Sequence, residues 1–201
     1  MAETIREPKQ KRSIEKKERI IKAGYDLFAE KGYFSTNTAE IAKVAGVSTG
    51  IVYGYFHDKR DILLGAMEIY IEKVFTPVFS LLSGVSTLDF TSIIPSVIDY
   101  AILVHQNNAA MHTTLHALSS EDEIVASRFS DLEEEVTKKM SARLFELGYP
   151  EKNTYEKVHA AMNVVQSIAH EEIYDRHAYI DYAAMRRLVT DMLVDLFEKK
   201  E

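Results

Sequence analysis

Residues 38–56 read TAEIAKVAGVSTGIVYGYF, and no other stretch narrows the possible folds as much. Ile41, Ala42 and Ala45 fall at i, i+1 and i+4, which predicts a helix of about two turns with one small apolar face. Gly46 follows where a helix C-terminus favours positive φ, which glycine adopts without a steric penalty. Val47 is then expected as a buried pivot, and Ser48 as the cap of a second helix. In that second helix Val52 and Tyr55 or Phe56 return to the apolar side, while Thr49, Gly50, Tyr53 and Gly54 look outward. Counted from Thr38, alanine stands fifth, glycine ninth, and apolar residues tenth and fifteenth. That is the pattern of a helix-turn-helix: a small residue where the helices cross, a glycine at the turn, and aliphatics setting the crossing angle. A plain αα-hairpin also favours a glycine turn, so these residues alone leave both readings open.

The flanks separate the two. Gly32-Tyr33-Phe34-Ser35-Thr36-Asn37 precedes the motif, and His57-Asp58-Lys59-Arg60-Asp61-Ile62-Leu63 follows it. The signature KGY…T…IA…AGVS.G..Y.YF..K..LL, spread over residues 31–64, resembles the DNA-binding domain of the tetracycline-repressor (TetR) family of transcriptional regulators. The resemblance implies an all-α protein, with an N-terminal three-helix helix-turn-helix domain and a C-terminal helical bundle for ligand binding and dimerisation. It implies a recognition helix that enters the major groove by its N-terminal end while the preceding helix straddles the backbone. Carried over residue by residue, it assigns phosphate contacts to Thr36, Asn37 and Thr38, and the opening of the recognition helix to Ser48 and Thr49. It assigns close backbone approach to Gly50, phosphate contacts to the paired aromatics Tyr53 and Tyr55, and a charge contact to Lys59. Two departures matter: Thr49 stands where many relatives carry lysine, and Gly54 where a larger polar side chain is common. With few long side chains on the helix, binding is expected to lean on phosphate contacts and DNA shape. The last two helical patterns, residues 152–174 and 179–197, are implied to build a two-fold four-helix interface, hence a homodimer on a palindromic operator.

The net charge of −7 looks unfavourable for a partner of DNA until its distribution is read. Residues 1–60 hold 12 Lys and Arg against 8 Asp and Glu, whereas the remainder holds 12 against 23. A basic head on an acidic body fits a DNA-contacting domain joined to a core that does not touch DNA. Arg6, Pro8, Lys9, Lys11 and Arg12 predict a flexible basic arm over residues 1–12, followed by a DNA-binding domain at 13–57 and a ligand-binding and dimerisation domain at 58–201. No cysteine is present, and neither a membrane-spanning apolar run nor an apolar leader is visible, so a cytoplasmic protein without membrane partners, nucleoid-associated when bound to DNA, is expected.

Along the rest of the chain the apolar period is helical throughout, predicting about nine helices. Ser13 is placed as the cap of the first, and Pro77 is expected to kink or end the helix that starts near Lys59. Pro95 is expected in the first turn of a central helix. Soft and polar residues interrupt the apolar faces: Tyr100, His105, Met111, His112, His116, Met140, Met162, Gln166 and His170. All but His112 are carried forward as candidate contacts for a small organic effector, since adaptable sites combine Met, Tyr and a few polar groups. The rival class, a helical metalloenzyme, would use His112 with His116 and the single Glu156-x-x-His159, but a di-iron bundle needs two such motifs and two further glutamates. No nucleophile with a paired base and no phosphate-cradling glycine loop is seen, so no catalytic residue, metal or cofactor is assigned. A fold relative that kept the architecture but lost its own operator is the other alternative.

Overall fold

The computed structural model of the protein describes residues 11–150 and 152–198. Its described residues form helices α1 (Lys11–Lys31), α2 (Thr38–Ala45), α3 (Thr49–Tyr53), α4 (Lys59–Ser83), α5 (Phe90–Asn107), α6 (Ala109–Glu121), α7 (Glu123–Glu146), α8 (Thr154–Tyr174) and α9 (Tyr182–Glu198), with no strand among them. None of these helices is long and apolar enough to cross a membrane. The basic arm lies outside the described residues except for Lys11 and Arg12, which open α1.

Several boundaries differ from expectation. Ser13 lies inside α1 rather than before it, so it does not cap that helix; its hydroxyl is 2.8 Å from the Tyr55 hydroxyl. Pro77 does not end α4, which runs on to Ser83. Pro95 is likewise interior to α5, in its second turn. The start of α5 is held instead by Asp89, whose carboxylate accepts from the Thr91 amide at 3.1 Å and from the Thr91 and Ser92 hydroxyls at 2.6 Å each.

The described residues divide into two compact units, one formed by those up to 72 with 108–130, the other by 73–107 with those from 131 onward. In the first, α1 supplies Ile20, Ala23 and Phe28, the helix-turn-helix supplies Ile41, Ala45 and Val52, and the start of α4 supplies Ile62, Leu63 and Met67, all buried. Gly24 lets α1 and α4 touch: a Cβ there would lie 2.5 Å from Ile62 Cγ2. Helix α6 packs on α1 with Met111 and Leu115 buried, and the Tyr25 hydroxyl donates to Asn108 Oδ1 at 2.9 Å. Arg60 reaches Asp122 at 3.1 Å in the same unit.

The second unit is a helical bundle in which α5 packs on both α8 and α9. Its core joins Phe90, Ile94, Ile98 and Ile102 of α5 to Val158, Val165 and Ala169 of α8 and to Leu193 and Phe197 of α9, with Leu144 from α7. Burial of side chains this size, at about 1.5–3 kcal/mol each, is what holds helices whose own propensity would not suffice.

Candidate functional site

The helix-turn-helix is built by local hydrogen bonds, of which the sequence pattern anticipates those at Gly46 and Ser48. Asn37 caps α2: its side chain accepts from the Glu40 amide at 3.0 Å, and Glu40 returns the bond to the Asn37 amide at 3.2 Å. Lys31 donates to Glu40 at 2.7 Å; this bond and the one from Asn37 hold the Glu40 carboxyl below its ordinary pKa. Gly46 takes φ 66° and ψ 38°, and the Gly46 and Val47 amides close α2 on Lys43 O and Ala42 O at 3.2 and 3.0 Å. Ser48 caps α3 through Ile51 N at 3.3 Å. Val52 and Phe56 are buried as expected, while Val47, expected as a buried pivot, is half-buried.

What remains outside is a polar surface formed by two helix beginnings. Asn37, Ser48, Thr49, Gly50 and Tyr53 are exposed, and the Tyr53 hydroxyl lies 3.0 Å from Thr38 Oγ1, tying α3 to the first residue of α2. Gly50 answers no internal crowding: a Cβ there would meet only Ser48 Oγ, at 3.9 Å.

Thr36, Tyr55 and Lys59, also expected on the DNA surface, turn their polar groups onto neighbouring residues. Thr36 is 3% exposed and its hydroxyl donates to Gly32 O at 2.9 Å, so it is not available to a phosphate; this corrects its assignment. Tyr55 is half-buried with its hydroxyl on Ser13. The Lys59 ammonium donates to Tyr33 O at 2.6 Å and Thr36 O at 2.7 Å, and lies 4.1 Å from the Tyr33 ring centroid. Burial lowers its pKa, and the two carbonyls and the ring face are what compensate the charge. Only one of its three N–H groups is left to meet a phosphate.

The bundle contains an apolar cavity of about 90 Å³. Tyr100, Met140, Met162 and Gln166 line it, whereas four other effector candidates do not. His105 is buried, with Nδ1 2.8 Å from Ala101 O and its own carbonyl accepting from the Tyr174 hydroxyl at 2.7 Å. His170 pairs with Asp175 at 3.2 Å. Met111 is core of the other unit, and His116 stands exposed there, its ring 4.3 Å from that of His112. The wall also uses Val74, Phe75, Val78 and Leu82 of α4 and Phe90 of α5, none of them among the candidates marked in the sequence. Periodicity marks such residues as inward-facing, and nothing in it distinguishes packed from unpacked.

Residues 20–66 match the family described as bacterial regulatory proteins, tetR family. The chain is 51% identical over 57 residues to the uncharacterized HTH-type transcriptional regulator YerO of Bacillus subtilis, covering 28% of this chain and 20% of that one. It is 28% identical over 123 residues to the HTH-type transcriptional regulator HbdR of Aromatoleum sp., covering 57% and 54%. Both matches thus span less than two thirds of the relative's length. In fold it is similar to the fatty acid degradation regulator FadR of Bacillus halodurans, with a TM-score of 0.64 at 18% identity over 96% of this chain and 100% of that one.

Proposed function

We propose, from the match of residues 20–66 to the tetR family of bacterial regulatory proteins, that this chain is a DNA-binding transcriptional regulator rather than an enzyme, a repressor released by a small organic effector. Residues 13–57 would meet DNA, and the chain from residue 58 would bind effector and partner subunit. The reading is carried by the exposed surface around α3: the α3 N-terminus and Tyr53–Thr38 present backbone amides and hydroxyls, and no long basic side chain, on a unit whose first 60 residues have an excess of positive charge. Such groups suit phosphate oxygens and a thymine methyl or base-edge acceptor at Thr49.

One such domain offers a small interface, so useful specificity calls for two copies. Leu188 and Met192, i and i+4 on α9, are 70% and 50% exposed, and Tyr155 on α8 is 47% exposed. These apolar residues on the last two helices support a homodimer formed there and a palindromic operator. Helix α4 supports effector coupling: one continuous helix carries Ile62 and Leu63 of the DNA-binding unit and Val74 to Leu82 of the cavity wall. A ligand that binds one arrangement of α4 more tightly would shift the spacing of two DNA-binding units in a dimer.

The test is selection of duplexes from a random pool, followed by fluorescence anisotropy on the recovered sequence across a salt series. A palindrome with a steep fall of affinity with salt is expected. A purified protein that prefers no duplex over random competitor would leave the alternative, a fold relative without an operator of its own.

A further inference from the structure

We propose that the bundle cavity takes a narrow, unbranched and uncharged molecule: an alkyl chain of roughly nine carbons with one neutral hydrogen-bonding end. The inference rests on the effector reading above and names the ligand class for it. Shape comes first. Phe90 of α5 and Val158 of α8 line the same cavity as Tyr100 and Gln166 further along the same two helices. These helices run in the same direction, because Tyr149 packs against Phe90 at 5.6 Å and takes a bond from Lys157 Nζ at 3.3 Å, while at the far end Tyr174 donates to the carbonyl of His105. The wall from Val158 to Gln166 is therefore a groove about 12 Å long at helical rise, the length of an extended chain of roughly nine carbons. The 90 Å³ is open to the centre of a water-sized sphere, so spread along that length it leaves a passage about 6 Å between the walls, which admits a polymethylene chain and is tight for a polycyclic skeleton.

Chemistry narrows the choice further. No Lys, Arg, His, Asp or Glu lines the cavity, so a carboxylate or an ammonium would be buried without a counter-charge, at a cost that binding would have to overcome. Lys157 stands near the Phe90 end, but it is held on the Tyr149 hydroxyl and is not part of the wall. At that end Phe90 and Phe197, both 7% exposed, stack at 4.8 Å and close the channel. At the other end Tyr100, Gln166, Val97 and Met162 are half-buried, which makes that end the mouth. Tyr100 and Gln166 are the polar side chains of the lining, and neither makes a hydrogen bond among the described residues. A phenol and a carboxamide, each able to donate and accept, suit an alcohol, aldehyde or amide at the head of the chain.

The test uses the full-length protein and isothermal calorimetry at pH 8 with 1-nonanol, nonanoate, choline and 1-adamantanol. Binding of 1-nonanol with at least tenfold preference over the other three is expected, and Tyr100→Phe and Gln166→Leu, both at the half-buried end, should each weaken it roughly fivefold. Equal or tighter binding of nonanoate, choline or 1-adamantanol would overturn the proposal, as would variants that bind 1-nonanol as the parent does. Operator release is read separately by anisotropy. If 1-nonanol binds as described and leaves DNA affinity unchanged, the ligand class stands and the effector reading fails. If another compound releases DNA and 1-nonanol does not bind, the ligand class fails and the effector reading stands.

Discussion

Replacing Lys59 by methionine keeps the length and the apolar stem of the side chain but removes its charge and all its donors. In the native protein that charge sits 2.6 Å from Tyr33 O, 2.7 Å from Thr36 O and 4.1 Å from the Tyr33 ring centroid. Hydrogen bonds from a charged donor contribute about 1.5–3 kcal/mol each, and the ring contact about 0.5–1 kcal/mol. Two effects reduce the sum: the half-buried site lets water reach the abandoned carbonyls in the variant, and the ammonium no longer has to be desolvated, a cost visible in its lowered pKa. The net loss should be about 2 kcal/mol of stability in the first unit. The loop it releases leads directly into Asn37, the cap of α2, so operator affinity should fall as well. Urea denaturation gives the first number and anisotropy across a salt series gives the second. A variant that unfolds at the parent's urea concentration, while the slope of log affinity against log salt drops by about one, would refute the reasoning. Lys59 would then spend its charge on a phosphate and not on the loop.

Three further outcomes follow from the same geometry. Gly46→Ala should cost about 1 kcal/mol through the backbone alone, because φ is +66° and a Cβ would meet nothing within 4 Å; Gly46→Asn should cost less, since asparagine tolerates that region. Gly24→Ala should cost more, about 2 kcal/mol or above by chemical denaturation, because its Cβ would lie 2.5 Å from Ile62 Cγ2 in a buried seam; equal losses at the two glycines would contradict the close approach of α1 and α4. For pH, two of the shifted glutamates, Glu133 and Glu40, act in opposite senses. Burial raises the Glu133 pKa, so its ionisation opposes folding as pH rises through the folded value; Glu133→Gln should raise the melting temperature at pH 7 and lose that advantage below the ordinary carboxylate pKa. The bonds from Lys31 and Asn37 lower the Glu40 pKa, so its contribution is present above the ordinary value and lost as pH falls through the folded one; Glu40→Gln should flatten the acid limb of the stability profile, and an unchanged limb would count against the capping box as a pH-dependent contributor.

Much of the helix-turn-helix could be read without coordinates because its determinants are local. The left-handed Gly46 and the Ser48 cap each join groups within four residues of one another, and such bonds leave a regular trace in residue order; the Asn37–Glu40 box is equally local, yet Asn37 reads as a phosphate contact. The same holds for the all-helical class, since an apolar stripe at helical period reports which face turns inward. The errors fall where a partner is distant in the chain. Lys59 reads as a free charge until its amine is found on carbonyls 23 and 26 residues away. Ser13 reads as a cap until Tyr55, 42 residues on, takes its hydroxyl. The cavity is the extreme case. Tyr100, Met140, Met162 and Gln166 could be marked as unusual in their helices, but His105, Met111, His116 and His170 carried the same mark and lie elsewhere. Apolar attraction has no direction and no memory of spacing, so periodicity tells a residue to be inside without saying which helices meet there or whether they fill the space between them. Local order therefore wrote the motif into the chain, and the meeting of α4, α5, α7, α8 and α9 made the cavity.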